Sequence, residues 1–229
     1  MITTALVLAT LLQSKLPDNP SFDYSGLPQL RTPERVDIIS HSVTCEIDGT
    51  REGFVDVTST TVFKNMTKAS IKATLVVPRR RYGDANSSFP NFDITGTWDL
   101  KKLILTPASD HGYQEANGKV VKYATDLSAP VRLMPGGTYG LRLSYTVPIG
   151  KCGYEQKQKI VGYLFDGDKT ISQLNVTYRY GGKTVFSLPE ARPNMGWQVG
   201  EKGAFVRQEN YWPDNQLTYV TFYPGGFEG

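Results

Sequence analysis

Apolar and polar side chains alternate one by one over much of this chain. In residues 138–147, Tyr139, Leu141, Leu143, Tyr145 and Val147 share one side, while Thr138, Gly140, Arg142, Ser144 and Thr146 share the other. Successive side chains of an extended strand point to opposite faces, so the pattern predicts a strand with one dry face and one wet face. Residues 172–180 repeat it, with Leu174, Val176, Tyr178 and Tyr180 set against Gln173, Asn175, Thr177 and Arg179. Ile39, Val43, Cys45 and Ile47 form a third inward set, and Ile71, Ala73, Leu75 and Val77 a fourth. Further strands are predicted within residues 55–63, 94–105 and 217–223. Dipeptides that accept positive φ, Asp48-Gly49, Asn117-Gly118 and Gly181-Gly182, fall between strands as hairpin turns. No segment longer than about ten residues has the 3.6-residue spacing of an amphipathic helix. Roughly 10–12 short antiparallel strands with wet outer faces predict an all-β fold, two sheets packed as a β-sandwich.

The first residues break this pattern. Residues 2–12 form an uncharged, mostly apolar run. It is shorter than the roughly 20 residues that cross a bilayer and has the length of a secretory signal core. Residues 1–14 are therefore expected to be a signal peptide. Residues 15–35 carry four prolines, Pro17, Pro20, Pro28 and Pro33, among Asp, Asn, Ser and Gly, and predict a proline-rich linker. Residues 36–229 then form a single β-sandwich domain, with residues 150–159 as the one plausible internal boundary. The expected location is secreted, periplasmic or cell-surface, with no transmembrane span after leader removal.

Composition narrows the partners. Hydrophobic residues at 39% and charged residues at 21% suit a folded domain rather than a disordered one. Lys and Arg number 25 against 22 Asp and Glu, a net charge of +3 that gives no general pull towards nucleic acid or anionic lipid. A protein or glycan partner is expected instead. The dense basic run Arg79-Arg80-Arg81 follows Pro78 directly. It reads either as an anion-binding cluster, because guanidinium forks match carboxylates and phosphates, or as a solvated loop guarding a strand end.

Cys45 and Cys152 have two readings as well. In an oxidising compartment they can form a disulfide that constrains the unfolded chain. Equally, Cys45 on an apolar strand face and Cys152 among glycines can be two unrelated thiols.

Catalytic chemistry finds little to work with. The two histidines, His41 and His111, have no partners at zinc-ligand spacing, and no cofactor is expected. His41 falls on the inward strand face and reads as a core residue. Ser109-Asp110-His111 names the members of a hydrolase triad, yet consecutive residues cannot converge on one reacting atom, and a turn explains them better. No nucleophile elbow, phosphate loop or dinucleotide fingerprint is present. Trp98, Trp197 and Trp212 each sit beside polar or glycine residues, where a ring can stack on a sugar or pack into the core. Tyr211 and Trp212 make the first candidate contact surface. Asn65, Asn86 and Asn175 begin N-glycan acceptor triplets.

Two segments carry a family likeness. One is residues 57–78, with Phe63-Lys64-Asn65 and the closing Val76-Val77-Pro78. The other is Leu133-Met134-Pro135-Gly136-Gly137-Thr138-Tyr139 running into Leu141, Leu143 and Tyr145. Together they resemble the N-terminal β-sandwich domain of zinc aminopeptidases and related modules of bacterial exported proteins, where a Leu-x-Pro-Gly turn precedes a Tyr-x-Leu strand. The resemblance implies a sandwich with a binding or scaffolding role. It carries over no active-site residue, since the chain lacks His-Glu-x-x-His. The resulting expectation is an exported, non-catalytic β-sandwich that binds or scaffolds. The alternatives are a carbohydrate-binding module using exposed tryptophans and a small hydrolase with an unrecognised site.

Overall fold

Strands that alternate between dry and wet faces must stack in pairs of layers to hide the dry ones. The computed structural model, which describes residues 16–48, 53–84, 86–108, 111–116, 120–181, 186–200 and 202–224, has this all-β sandwich form. One layer is an eight-stranded sheet in the order β16 (Gln198–Gly200), β17 (Gly203–Tyr211), β14 (Ile171–Gly181), β3 (Val36–Asp48), β4 (Phe54–Asn65), β11 (Thr138–Pro148), β6 (Ile94–Trp98) and β7 (Lys101–Leu103). Neighbours in it are antiparallel except β3 and β14, which run parallel with Ile38 beside Ile171. That pair joins the early and late parts of the chain within one sheet.

The opposing layer consists of two smaller sheets. Its six-stranded part is built on β5 (Ile71–Gly83) and β10 (Val120–Leu133), flanked by β1 (Phe22–Ser25), β2 (Gln29–Arg31), β8 (Thr106–Pro107) and β9 (His111–Ala116). Its four-stranded part has the order β12 (Gly150–Cys152), β13 (Gln158–Phe165), β18 (Gln216–Pro224) and β15 (Phe186–Arg192). The two parts meet where β1 lies against β12 and β13. Ser21 and Lys151 exchange backbone hydrogen bonds of 2.8 and 2.9 Å, and the Leu27 N–H donates to the Leu164 carbonyl at 2.8 Å. A Cβ on Gly26 would stand 2.6 Å from that same carbonyl oxygen, so the close approach requires glycine.

This seam corrects the linker reading of residues 15–35. Phe22, Asp23, Tyr24 and Ser25 are all buried, and β1 pairs with β5 residue by residue from Phe22–Tyr82 to Ser25–Arg79. Prolines exclude helix and central strand but accept the ends of short edge strands, and Pro20, Pro28 and Pro33 all fall outside β1 and β2. Residues 150–159 are likewise taken into the β12–β13 hairpin, joined by a 3-10 turn at Tyr154–Gln156.

The main core fills the space between the layers, with Val43, Val57, Leu143 and Val176 from the eight-stranded sheet meeting Leu75, Leu133, Tyr163 and Val220 from the other layer. Ile39 is not among these inward residues. A register shift between Ile38 and Ser40 in the β3–β4 pairing adds a residue, so the inward set reads Val36, Ile38, His41, Val43, Cys45 and Ile47. A second cluster of Phe22, Tyr24, Cys152, Ile160, Leu164 and Tyr219 lies along the seam.

Candidate functional site

β5 runs through Pro78 to Gly83, so Arg79-Arg80-Arg81 lie in a strand rather than a loop. Alternation then separates them, because three consecutive strand residues cannot share a face. Arg79 is buried and donates from Nη1 to the Phe92 carbonyl at 3.1 Å. Arg81 forms a two-toothed pair with Asp23, Nε to Oδ1 at 2.5 Å and Nη2 to Oδ2 at 2.7 Å, and also donates to Ser88. That pair, with burial opposing it, raises the Arg81 pKa. These two guanidinium groups are structural. Arg80 alone faces outward over the seam.

Pro78 is tolerated within β5 because it stands opposite the gap between β1 and β2. Its carbonyl, on that side, accepts the Ser25 hydroxyl at 2.6 Å, and no neighbouring strand there needs the missing N–H. The gap opens a groove of about 350 Å³ on the outer surface. Its floor comes from β5 and β10, whose register sets Ala124 beside Arg80 and Asp126 beside Pro78, so Lys122, Ala124 and Asp126 share one face. Arg31 comes from β2, and Asp166 and Asn215 from connections beyond β13 and β17. Gln29 ties the walls together by donating from Nε2 to the Asp166 carbonyl at 2.7 Å.

Electrostatics make the groove uneven. Arg80 donates from Nη1 to Asp126 Oδ1 at 2.7 Å and to the Thr125 carbonyl at 3.2 Å. Arg31 reaches the other oxygen of Asp126 at 3.8 Å, with most of its side chain in solvent. Asp126 is thus already engaged by two cations. Lys122 has no carboxylate within 4.0 Å among the described residues. Its pKa is lowered by burial and then by Arg80, with Asp166 pulling the other way. Next to the groove, Tyr24 and Tyr82 stack at 5.6 Å with Phe22 against both. Three cations against two carboxylates, with one ammonium free of carboxylate contact among the described residues, favour a small anion. Among the described residues no group of three His, Cys, Asp or Glu side chains could hold a metal ion.

The other predicted site residues are not brought together. Trp98 is half-buried, stacked on Tyr139 at 5.6 Å and Phe63 at 5.9 Å near one edge of the large sheet. Trp197 packs on Tyr178 towards the opposite edge and donates from Nε1 to the Pro193 carbonyl at 2.6 Å. Both rings serve packing. Tyr211 packs edge-on against Phe165 and donates to Gln216 Oε1 at 2.6 Å. Trp212 alone of the three tryptophans is mostly exposed, at 56%.

Cys45 and Cys152 are free, buried thiols in different apolar clusters, which corrects the disulfide pairing. Asn65 cannot take a glycan, because it is fully buried and donates to the Ala69, Leu133 and Met134 carbonyls. His41 is buried, with Nδ1 at 2.8 Å from the Thr61 hydroxyl. Residues 1–14, Ser109, Asp110 and the Asn117-Gly118 turn lie outside the described residues.

Lys122 and Asp126 escaped sequence reading, and Asp166 reads from the sequence, with Gly167 and Asp168, as a turn rather than as part of a calcium loop. The one available signal was the two-residue spacing of Lys122, Ala124 and Asp126, which places them on one face of β10.

The fold has counterparts among solved structures. A candidate nutrient-binding protein from Legionella pneumophila aligns with 90% of this chain and 73% of its own length, at a TM-score of 0.70 and 13% identity. An M1 zinc metallopeptidase from Deinococcus radiodurans aligns with 85% of the chain at a TM-score of 0.40 and 12% identity. An aminopeptidase N family protein from Idiomarina loihiensis aligns with 79% at 0.39 and 8% identity. The chain spans 43% and 29% of the lengths of these two peptidases. No protein-family model and no curated protein sequence matches the chain. Among the described residues no helix is long and apolar enough to cross a membrane.

Proposed function

We propose that this protein is an exported, non-catalytic binding module that holds a small anionic ligand in the groove between β2, β5, β10 and the connection after β13. The observation that carries the reading is Lys122. Its ammonium is partly withdrawn from water beside a second cation, Arg80, with no carboxylate in contact among the described residues. A carboxylate or phosphate in the groove would relieve both penalties and reach Arg80 and Arg31 as well. The nutrient-binding description of the Legionella protein is consistent with a binding role, and the apolar run at residues 2–12 supports export. N-terminal mass of the protein recovered from an extracytoplasmic fraction checks the export reading, which an intact leader on a cytosolic protein would end.

Thermal shift and calorimetric titration with inorganic phosphate, succinate and neutral oligosaccharides test the groove. Saturable stabilisation by an anion, weakened at least about tenfold by Lys122→Met, is the expected result. Anion binding untouched by Lys122→Met, or none at all, would refute the assignment. A glycan partner is the second reading, and it rests on Trp212. Stabilisation by an oligosaccharide that disappears in Trp212→Ala would favour it.

A further inference from the structure

The two turns that carry the chain between layers, β4 to β5 and β10 to β11, run side by side at one end of the sandwich. The Gly136 N–H donates to the Thr67 carbonyl at 3.1 Å, and the Asn65 N–H to the Gly137 carbonyl at 3.0 Å. The β6–β7 hairpin stands next to them, held by the Asp99 N–H on the Gly140 carbonyl at 2.8 Å and by Trp98 stacked on Tyr139. Each of the three tips presents an apolar side chain to water. Met66 is 44% exposed, Met134 52% and Leu100 95%.

Leu100 is the telling residue. Trp98 pairs with Lys101, so Asp99 and Leu100 form a two-residue loop, and both have positive φ, 49° and 66°. Such loops favour Gly or Asn at this position, and a leucine there is strained. The molecule gains nothing visible in return, since the side chain touches almost nothing. Strain and exposure together point to something outside the molecule that covers Leu100.

Charge identifies it. Residues 64–72, 97–103 and 132–142 contain seven Lys or Arg and one acidic residue, Asp99, against +3 for the whole chain. Glu34, Arg35 and Asp37 in the adjoining β2–β3 region add one positive and two negative charges. Lys101 and Lys102 follow the tip directly and, on a strand, project to opposite sides. Cations on both sides of a penetrating tip match a plane of anionic headgroups around it, whereas a protein partner would meet one face. We propose that the rim formed by Met66, Leu100 and Met134 seats the molecule on an anionic lipid surface, with the leucine entering the acyl boundary and the lysines among the headgroups. This goes beyond the groove and does not depend on it.

Vesicle co-sedimentation tests the rim in about 0.1 M salt, where the screening length is ~10 Å. Vesicles of phosphatidylcholine alone are compared with vesicles containing one-third phosphatidylglycerol. Binding is expected to the anionic vesicles. Leu100→Asn should reduce it about tenfold, and should keep or raise the melting temperature because Asn accepts positive φ. Lys101→Ser with Lys102→Ser should reduce it at least about tenfold on anionic vesicles and leave the neutral ones unchanged. No binding by the unaltered protein, equal binding to both compositions, or binding indifferent to Leu100→Asn would each overturn the proposal. If vesicles fail to bind while Leu100→Asn dissociates a dimer, the rim belongs to a protein interface instead.

Discussion

A single core histidine makes the stability of this protein depend on pH. His41 projects from β3 between Thr61, Tyr163 and Phe165, and burial lowers its pKa to about 3 from the usual 6.5. Between those values the unfolded chain binds a proton that the native one refuses. Stability is therefore greatest above pH 6.5 and falls as pH drops towards 3. The slope is about 1.4 kcal/mol per pH unit, which amounts to about 4–5 kcal/mol over the window. Denaturant titrations of the unaltered protein and of His41→Leu at several pH values check this. Carboxylates contribute to both proteins, so the slope of the difference isolates His41, and a flat difference would contradict the assignment. Asn65 teaches a related lesson. A triplet that reads as a glycan acceptor instead closes a turn, because the Asn65 side chain satisfies three carbonyls and accepts the Thr67 N–H at 2.8 Å.

Among the elements, the β6–β7 hairpin and the β17–β18 connection separate tryptophans that look alike in sequence. Trp98 is sandwiched between Phe63 and Tyr139, so Trp98→Ala should destabilise by about 3 kcal/mol. Trp212 is mostly in solvent, and Trp212→Ala should stay within about 0.5 kcal/mol. Urea midpoints measure both. β5 shows the same dependence on context. Its inward apolar set at Ile71, Ala73, Leu75 and Val77 follows directly from alternation. Its continuation through Pro78 depends on the gap between β1 and β2, which belongs to other strands. Conversely, the bulge in β3 moves Ile39 out of the core and turns Ile38 and Val36 in, a one-residue change of parity that alternation alone does not locate.

For the molecule as a whole, the cysteines report on how the layers are closed. Cys45 belongs to the core between the layers and Cys152 to the cluster along the seam. Burial raises both thiols, that of Cys152 to about 12. Native protein should thus react slowly with a disulfide reagent at pH 8, and two thiols per chain should appear in denaturant without reductant. Fewer than two would reveal a bridge. Stability then rests on packing across three sheets rather than on a covalent link, and reductant should not move the melting temperature.

Fold class was legible because period-two alternation is a local property: each strand carries its own record of which face is dry. Leu141, Leu143, Tyr145, Leu174, Val176 and Tyr178 are buried as their spacing requires. The division of one layer into two sheets was not legible, nor was the recruitment of the proline-rich segment as β1 and β2. Those follow from pairing between residues far apart, such as Phe22 with Tyr82 and Ile38 with Ile171. The groove is nonlocal for the same reason. Arg31, Arg80, Lys122 and Asp166 are ordinary surface charges one at a time, and they acquire a shared field only when the chain sets them around one opening.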